Sequence, residues 1–388
     1  MNNYKIVFIS NYFNHHQKYL SEELFKLTNG SYCFIETEPI EEERLRMGWG
    51  ENEIPDYVKQ SYISDEELCE CRDIIDAADC VIIGSAPENF LKNRKKTGKL
   101  IFIYSERFLK KGFEPLKYPL RYLKFHKNNP KNANIYLLCA SAYTAADYAK
   151  FGLFKNKAFK WGYFPETKKY EDIERIISLK KKNFILWAGR FIDWKHPDTA
   201  VRIAKRLKEN GYAFEMNIIG TGTMEQKLKN MISDYNLENE VHMLGSMKPE
   251  QVREYMEKSQ IYLFTSDRNE GWGAVLNESM NSGCAVVASH EIGSVPFLLK
   301  DGKNGFIYKD GDEEDLYLKI KSLLDSSDLC RQYGKQAYLT IVNEWSSESA
   351  AKRFIQLTKS MQRETKKGNL FTNGPCSKAS ILGDRWFI

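Results

Sequence analysis

Residues 264–287 read FTSDRNEGWGAVLNESMNSGCAVV, and this stretch predicts the fold around it. Apolar residues up to Phe264 are typical of a buried strand, and the polar loop after them leads into a short helix. Gly283 ends that helix, and a second apolar strand begins at Ala285. A strand, a helix and a strand in this order predict one unit of a parallel, doubly wound sheet.

The start of this helix has the features of an anion site. Its backbone N–H groups and positive dipole end lie at the carboxyl edge of the predicted sheet, and Gly271 and Gly273 let a ligand approach the backbone. Glu270 precedes the helix and Glu278 lies eight positions further on, so at about 100° per residue both can face one side. The arrangement suits a ligand that carries phosphates for the N–H groups and hydroxyls for the carboxylates.

The same alternation extends over most of the chain and predicts an α/β fold with two Rossmann-like, doubly wound domains. Strands are predicted in the first half at 5–10, 32–35, 80–84, 100–104, 135–140 and 158–162, and in the second half at 184–188, 214–219, 241–244, 261–264, 285–288 and 305–308. The predicted organisation is a first domain at 1–165, a linker at 166–182, a second domain at 183–345, a helix at 346–364 and a tail at 365–388. The tail matches no known pattern, and we expect it to be loosely ordered.

Composition agrees with a globular protein of 388 residues, of which 42% are hydrophobic and 28% charged. No apolar run approaches the ~20 residues that span a bilayer. The N-terminal MNNYKIVFIS predicts a first strand rather than a signal peptide, so we expect a cytoplasmic protein. The eight cysteines are spread singly without a Cys-x-x-Cys pair, which predicts free thiols and no zinc or redox motif.

Four motifs in order carry a resemblance to a known family. Glu270 and Glu278 form Glu-x7-Glu with Gly-x-Gly inside, and Ser-Gly-x-x-Val-Val follows at 282–287. DGKNGFI follows at 301–307, and Ala-Gly-Arg with a lysine five positions on precedes them at 188–195. The chain resembles the retaining GT-B glycosyltransferases of family 4, also called glycosyl transferases group 1. The resemblance is specific from about 184 to 324 and weak over the first 165 residues.

The resemblance implies two domains that face each other across a cleft, with a C-terminal helix that returns to the first domain. It also implies a role for each motif. Arg190 and Lys195 would neutralise the leaving nucleoside diphosphate, so that no metal or other cofactor is needed. Glu278 would accept the ribose hydroxyls, and Glu270 would lie beside the donor sugar. The residues implied in donor binding are Gly189, Arg190, Lys195, Gly220, Gly222, Glu270, Gly271, Trp272, Gly273, Val275, Leu276 and Glu278.

The residue types leave simpler interpretations open. Arg190 can hold a diphosphate with its planar guanidinium, and Lys195 adds a point charge, but both could be surface charges on a loop. The Gly-Thr-Gly at 220–222 could serve turn geometry alone. For Glu270, the alternative role is to complement the helix dipole. The Asp-Gly-Asp at 310–312 is interpreted as a turn and a helix cap rather than a metal site.

The first domain departs from the family pattern. The loop after its first strand has no glycine and instead carries His15 and His16, which could contact an acceptor or lie exposed at a helix start. Many relatives have a histidine after the strand at 100–104, where this chain has Glu106. We predict that Glu106 belongs to the reaction centre. Phe297 stands where the family usually has glutamate, at a place we expect to be peripheral.

Residues 92–131 contain thirteen basic and two acidic residues with apolar and aromatic residues between them. Each basic group near an anionic leaflet contributes on the order of 1 kcal/mol, so the stretch predicts peripheral contact with an anionic membrane. A solvated face is the simpler alternative. Nucleic acid is not predicted, because no nucleic-acid motif accompanies the stretch and the net charge is only +5.

The sequence therefore predicts a retaining glycosyltransferase. The donor is a nucleotide-diphosphate sugar, and the acceptor is a glycan or lipid-linked intermediate of bacterial surface polysaccharide synthesis at the inner face of the cytoplasmic membrane. Two alternatives remain open. One is a nucleotide-sugar epimerase on the same architecture, which would form product without an acceptor. The other is a non-catalytic sugar-nucleotide-binding membrane adaptor.

Overall fold

The computed structural model describes residues 4–42, 53–131, 133–362, 370–383 and 386–387. The described residues divide into two compact units. Unit 1 is drawn from 1–166 and 346–383, and unit 2 is drawn from 167–345 and 384–388. Each unit contains one parallel sheet with helices on its faces, so the predicted fold class of two doubly wound α/β domains is confirmed.

The strands of unit 1 are β1 (Ile6–Ser10), β2 (Tyr32–Glu36), β3 (Val58–Gln60), β4 (Cys80–Ile83), β5 (Leu100–Ser105), β6 (Ile135–Cys139) and β7 (Ala158–Lys160). The strands of unit 2 are β8 (Lys181–Ala188), β9 (Glu215–Ile219), β10 (Val241–Met243), β11 (Ser259–Phe264), β12 (Ala285–Ser289) and β13 (Phe306–Tyr308). Among the described residues, the sheet orders are β3-β2-β1-β4-β5-β6-β7 and β10-β9-β8-β11-β12-β13.

The helices of the first half are α1 (His15–Leu27), α2 (Asp65–Ala77), α3 (Lys92–Lys96), α4 (Tyr118–Asn128) and α5 (Thr144–Ala149). Those that follow are α6 (Ile173–Ser178), α7 (Pro197–Glu209), α8 (Glu225–Asp234), α9 (Pro249–Lys258), α10 (Val275–Asn281), α11 (Val295–Leu298), α12 (Glu313–Asp325), α13 (Ser327–Asn343) and α14 (Ser347–Gln362). Short 3₁₀ segments occur at Glu88–Leu91, Pro115–Lys117 and Asp193–Lys195. Among the described residues, no helix is both long and apolar enough to cross a membrane.

Continuous apolar runs mark the central strands because helices cover both faces of a parallel sheet. All five residues of β1 and of β12 are buried. The predicted strands match the observed ones to within a few residues. The exception is β3, which the sequence did not predict because it has three residues and only Val58 is buried.

The segment predicted as a linker, 166–182, includes regular secondary structure. It contains α6 and the first residues of β8, and from residue 167 onward it belongs to unit 2. The amide of Asn281 accepts from the Lys168 backbone N–H at 2.8 Å and donates to the Lys168 carbonyl at 3.0 Å. The backbone N–H of Tyr170 donates to the Tyr338 hydroxyl at 3.0 Å.

The C-terminal part of the chain completes unit 1. On α14, Phe354 packs its ring 5.1 Å from Phe102, which lies in the middle of β5. The chain then returns along the open edge of β7, where the Lys160 N–H donates to Ser377 at 2.8 Å and the Ala379 N–H donates to Ala158 at 3.0 Å. The expectation of a loosely ordered tail is wrong for these residues, because they satisfy backbone groups at a sheet edge.

The basic stretch at 92–131 is not one surface. It includes β5, whose first three residues are buried in the sheet. Arg94 is fully buried and donates to backbone carbonyls, including that of Ala78 at 2.8 Å, and Arg107 is buried beside Asp147. Some charges of this stretch are therefore inside unit 1, whereas others, such as those of Lys92, Lys96 and Lys99, are exposed. Contact of the stretch with a membrane stays a prediction.

Candidate functional site

The sheet of unit 2 has a topological switch point between β8 and β11. The chain leaves β8 toward β9 and β10 on one side, and β11 leads to β12 and β13 on the other. Ligands of doubly wound sheets bind beyond the strand carboxyl ends at such a point. Here the loops after β8 and β11 carry Arg190, Lys195 and Glu270, three of the residues predicted from the motifs.

A buried ion pair joins these two loops. Lys195 Nζ donates to Glu270 Oε2 at 2.6 Å, and both residues are 9% exposed. Ser266 Oγ donates to the same carboxylate oxygen at 3.0 Å. The sequence did not single out Ser266, although its place two residues after a strand end could have suggested it. A charged pair with this much burial needs its partners close together to offset the loss of solvation.

Thr265 fixes the backbone that carries Lys195. Its Oγ1 accepts from Trp187 Nε1 at 2.8 Å and lies 2.7 Å from the Lys195 carbonyl oxygen, to which it donates. The Asp267 N–H donates to the Trp194 carbonyl at 2.9 Å. The ends of β8 and β11 are therefore connected by side-chain and backbone hydrogen bonds that hold the lysine in place.

Glu270 is not placed by helical spacing. Helix α10 begins at Val275, five residues after Glu270, and has seven residues. The expectation that helical geometry brings the two glutamates to one side is wrong for this reason, and the position of Glu270 follows from its contacts with Lys195 and Ser266. Glu278 lies in the first turn of α10 and is half-buried.

Arg190 differs from Lys195 in being exposed. Its guanidinium carbon lies 5.9 Å from the centre of the Trp194 ring, and Lys195 Nζ lies 4.8 Å from the same ring. Both cations therefore flank one indole at the end of β8. An exposed guanidinium keeps its donors available for a phosphate, since Arg offers five N–H groups in a planar fork.

The glycines predicted at the donor site have packing roles. Gly220 has a φ of +145°, and a Cβ there would lie 1.9 Å from the Gly189 carbonyl oxygen. A Cβ on Gly222, with a φ of +154°, would lie 2.5 Å from the Phe191 carbonyl oxygen. These glycines let the turn after β9 pack directly on the loop after β8. Their proximity to a nucleotide stays a prediction.

Trp272 is fully buried, and its side chain belongs to the core. Its ring lies 5.8 Å from Trp345, and its Nε1 donates to Asn277 Oδ1 at 2.9 Å. Leu276 is likewise fully buried, and Val275 is half-buried at the start of α10. For Trp272 and Leu276, only the backbone is left to meet a ligand.

The glycines beside Trp272 are also closely packed. Gly271 is buried, and Gly273 has a φ of +82°. A Cβ on Gly273 would lie 2.5 Å from the Phe264 ring. The turn before α10 therefore requires glycine at 273 for its backbone conformation and its packing, whether or not a ligand approaches it.

Unit 1 has its own polar cluster at the carboxyl edge of its sheet. Glu106, directly after β5, accepts from the Tyr163 hydroxyl at 2.7 Å through Oε1 and from Lys110 Nζ at 2.7 Å through Oε2. Tyr163 follows β7 and was missed by the sequence analysis, because 57 positions separate it from Glu106. Burial raises the pKa of Tyr163 well above its ordinary value, which keeps the phenol protonated as a donor.

His15 and His16 begin α1, and Asn14 caps this helix by accepting from the His16 N–H at 2.9 Å. The His16 ring stacks on Tyr163 with centroids 5.2 Å apart, and it lies 4.0 Å from the His15 ring. Burial lowers the pKa of His16 to about 3, so it is neutral at pH 7. His16 therefore lies within the same cluster as Glu106, where a neutral imidazole can exchange hydrogen bonds with a hydroxyl group.

A second polar group adjoins the buried pair, since His196 and Asp267 directly follow Lys195 and Ser266 in the chain. His196 Nε2 lies 3.4 Å from Asp267 Oδ2, and the pKa of His196 is raised chiefly by this carboxylate. Burial and the nearby Glu291 raise the pKa of Asp310 to about 6. Asp312 accepts from the Asp315 N–H at 2.9 Å and caps α12, which confirms the predicted capping role.

The part of the chain that contains the unit 2 site matches a known family model. Residues 169–340 match the family model described as glycosyl transferases group 1. This match lies within unit 2, and it contains Arg190, Lys195, Glu270 and Glu278. It supports the family resemblance that the motifs indicated.

The sequence similarity to individual relatives is modest and covers only part of each protein. The chain is 32% identical over 137 residues to the amylovoran biosynthesis glycosyltransferase AmsK of Erwinia amylovora, covering 34% of this chain and 33% of that protein. It is 28% identical over 169 residues to the poly(ribitol-phosphate) alpha-N-acetylglucosaminyltransferase of Staphylococcus aureus, covering 44% of this chain and 34% of that protein. The chain thus spans about a third of the length of each of these relatives.

The solved structure of Anabaena HepE in complex with UDP is similar over nearly the whole chain. The TM-score is 0.69 at 14% identity, with 92% of this chain and 100% of that chain covered. At this identity the likeness shows the fold alone, which consists of two doubly wound α/β units.

Proposed function

We propose that the chain is a retaining glycosyltransferase that uses a nucleotide-diphosphate sugar. The observation that carries this proposal is the buried pair of Lys195 and Glu270 beside the exposed Arg190, at the switch point of the unit 2 sheet. Two cations supply charge for a diphosphate, and a carboxylate supplies an acceptor for sugar hydroxyls. The match to glycosyl transferases group 1 over the same residues supports the assignment.

Each residue has a role in this proposal. Arg190 binds the diphosphate through its exposed guanidinium, and Lys195 stabilises the negative charge that develops as the bond between the sugar and the diphosphate breaks. Glu270 accepts a hydrogen bond from the donor sugar and orients Lys195. Glu278 accepts the ribose hydroxyls from the first turn of α10. These residues supply the charge compensation, and we propose that no metal is required.

The acceptor binds on unit 1, where Glu106, Tyr163 and His16 form one cluster. Glu106 accepts the proton of the attacking hydroxyl or stabilises positive charge on the sugar as the diphosphate leaves. The new bond forms on the face from which the diphosphate departs, which retains the anomeric configuration. Tyr163 and Lys110 hold the Glu106 carboxylate through one oxygen each.

The relatives suggest the substrates to test first. One relative is named an amylovoran biosynthesis glycosyltransferase, and another is named a poly(ribitol-phosphate) alpha-N-acetylglucosaminyltransferase. HepE was solved with UDP. We propose that this chain acts on a glycan or lipid-linked acceptor in bacterial surface polysaccharide synthesis, with UDP as the first nucleotide to examine.

The test is to incubate the purified chain with UDP-sugars and polyprenyl-diphosphate or polyol-phosphate acceptors, with and without EDTA. The proposal expects acceptor-dependent release of UDP, the same rate in EDTA, and a product with the anomeric configuration of the donor by NMR. Conversion of the UDP-sugar into a different UDP-sugar without an acceptor, and without release of UDP, would instead establish an epimerase. UDP binding without turnover of any donor would establish a non-catalytic binder.

A further inference from the structure

Helix α4 and the segment before it present apolar side chains that unit 1 does not use. Leu116 is 95% exposed, Leu120 is 74% exposed and Leu123 is 66% exposed. Their spacing of four and then three residues places them on one helical face. Phe113 lies before the helical residues and packs its ring 5.5 Å from that of Tyr118, so it does not belong to this row. The three leucines are called the apolar ridge below.

The other face of α4 already attaches it to unit 1. The Tyr118 ring stacks on Phe151 with centroids 5.0 Å apart, and the Phe125 ring lies 5.1 Å from the same phenylalanine. The His126 ring nitrogen Nε2 lies 2.9 Å from the Phe151 carbonyl oxygen. The apolar ridge is therefore free to serve a partner, because the helix is held without it.

Basic side chains flank the apolar ridge. Residues 110–127 contain six lysines or arginines and one acidic residue, Glu114. On α4 and the turn before it, Lys117, Arg121 and Lys124 follow Leu116, Leu120 and Leu123 by one position each and so lie along one side of the ridge. Glu114 pairs with Lys117 at 2.9 Å and with Arg121 at 2.8 Å, which leaves the positive charge in excess.

We propose that the apolar ridge and its basic flank dock on an anionic lipid membrane. An apolar face bordered by lysine and arginine is typical of a helix that lies in the membrane interface, with its leucines among the acyl chains and its cations at the headgroups. The surface is confined to residues 110–127, a much smaller part of the chain than the basic stretch that the sequence indicated.

Two other partners fit the surface less well. A nucleic acid would use the basic flank, but the most exposed apolar side chains of this surface are leucines, which offer no ring on which a base can stack. A second copy docked through the same face would bring the two basic flanks together, since a twofold interface places identical patches opposite each other. Negatively charged headgroups match both the ridge and the flank.

The test is co-sedimentation of the full chain with vesicles of phosphatidylglycerol and with vesicles of phosphatidylcholine. We expect binding to phosphatidylglycerol only, with release at high salt because screening weakens the basic flank. The variant carrying Leu116→Ser, Leu120→Ser and Leu123→Ser should bind at least about tenfold more weakly. The matched control is Leu179→Ser with Leu318→Ser, which replaces exposed leucines of unit 2 and should bind as the wild type does.

A second pair of variants tests the flank. Lys117→Ser with Lys124→Ser should weaken binding, and Lys181→Ser with Lys229→Ser, which removes two exposed lysines of unit 2, should not. Circular dichroism and the thermal shift with UDP should be unchanged in all variants, which separates lipid binding from folding and from the donor site.

Three results would overturn the proposal. The first is a wild-type chain that stays in the supernatant with phosphatidylglycerol vesicles. The second is a triple leucine variant that binds them as well as the wild type does. The third is a wild-type dimer that becomes monomeric in the triple variant, because the ridge would then be covered by a second copy. The readout is lipid binding alone, so the outcome does not depend on the proposed sugar transfer.

Discussion

Lys195 Nζ and Glu270 Oε2 lie 2.6 Å apart, although 75 positions separate the two residues in the chain. The pair joins the loops that leave β8 and β11, the two strands between which the unit 2 sheet changes its winding direction. Both residues are 9% exposed. The proposed donor site is therefore built on a charged contact that also connects the two halves of the sheet, and its removal should affect stability and binding together.

Replacing Lys195 by methionine should destabilise unit 2. The change keeps much of the side-chain volume but leaves the Glu270 carboxylate buried without its cation, and breaking a buried pair in this way costs about 3–5 kcal/mol. The double variant Lys195→Met with Glu270→Gln should lose less than the sum of the single variants. Urea-induced unfolding of all three variants measures this coupling.

The matched control is Lys227→Met. Lys227 also pairs with a carboxylate of unit 2, but its side chain is 56% exposed, so its loss should cost less than about 1 kcal/mol. Equal effects of the two lysine substitutions, or additive effects at 195 and 270, would show that the buried pair is not coupled.

Gly220→Ala should be much more damaging than Gly211→Ala. Both glycines have positive φ, but a Cβ at 220 would lie 1.9 Å from the Gly189 carbonyl oxygen, and a Cβ at 211 has nothing within 4 Å. We expect a loss of about 1 kcal/mol at 211 from backbone strain alone. At 220 we expect more than about 3 kcal/mol or a failure to fold. Similar melting temperatures for the two variants would refute this account of the turn.

Most of the strands could be predicted from the sequence, but the contacts between distant site residues could not. The buried strands are apolar runs, and strands such as β1 and β12 could be placed to within one residue. The contact between Lys195 and Glu270 was not predicted, because no local pattern shows which residues of two distant loops meet. The Glu106–Tyr163 bond was missed for the same reason. Trp272 was assigned to the donor by motif position, and only the packing on Trp345 shows that its side chain is in the core.

Glu106→Gln should lower sugar transfer by about a hundredfold or more, the range expected for a group that moves a proton in the transition state. It should leave the thermal shift with the nucleoside diphosphate unchanged, because Glu106 lies in unit 1 and the proposed donor site lies in unit 2. Tyr163→Phe should have a smaller effect, since it removes one hydrogen bond to the carboxylate.

The control for Glu106 is Glu70→Gln, which changes a largely exposed carboxylate of the same unit and should retain full activity. Full activity of Glu106→Gln would exclude a role for this carboxylate in transfer. Loss of activity together with loss of the nucleotide shift would indicate a general structural defect instead.

Asp310 should make the free energy of unfolding depend on pH. Burial, with Glu291 next in importance, raises its pKa from 3.8 to about 6 in the folded protein. The folded chain then retains a proton that the unfolded chain releases, so stability falls as pH rises between about 4 and 6. Asp310→Asn should match the wild type near pH 4. Above pH 6 it should be more stable by about 1 kcal/mol, since partial solvent exposure of Asp310 screens the effect.

Thermal melting of both proteins from pH 4 to pH 7 measures this difference. We expect the melting temperatures of the two proteins to differ little near pH 4, to diverge up to about pH 6, and then to differ by a constant amount. A full difference already at pH 4, or no difference at pH 7, would show that the carboxylate of Asp310 is not disfavoured by its surroundings.

The central claim is that unit 2 binds a nucleoside diphosphate through Arg190. The most direct measurement is the thermal shift of the wild type, Arg190→Ala and Arg331→Ala with UDP, GDP, ADP and CMP, with and without EDTA. Arg190 is exposed, so its removal should not disturb folding, and Arg331 is an exposed arginine of the same unit that lies on α13. A ligand at a hundred times its dissociation constant stabilises by about 2.7 kcal/mol. We predict a thermal shift with one nucleoside diphosphate that is unchanged by EDTA, kept in Arg331→Ala and lost in Arg190→Ala. A thermal shift that Arg190→Ala retains, or the absence of a shift with any nucleotide, would contradict the account.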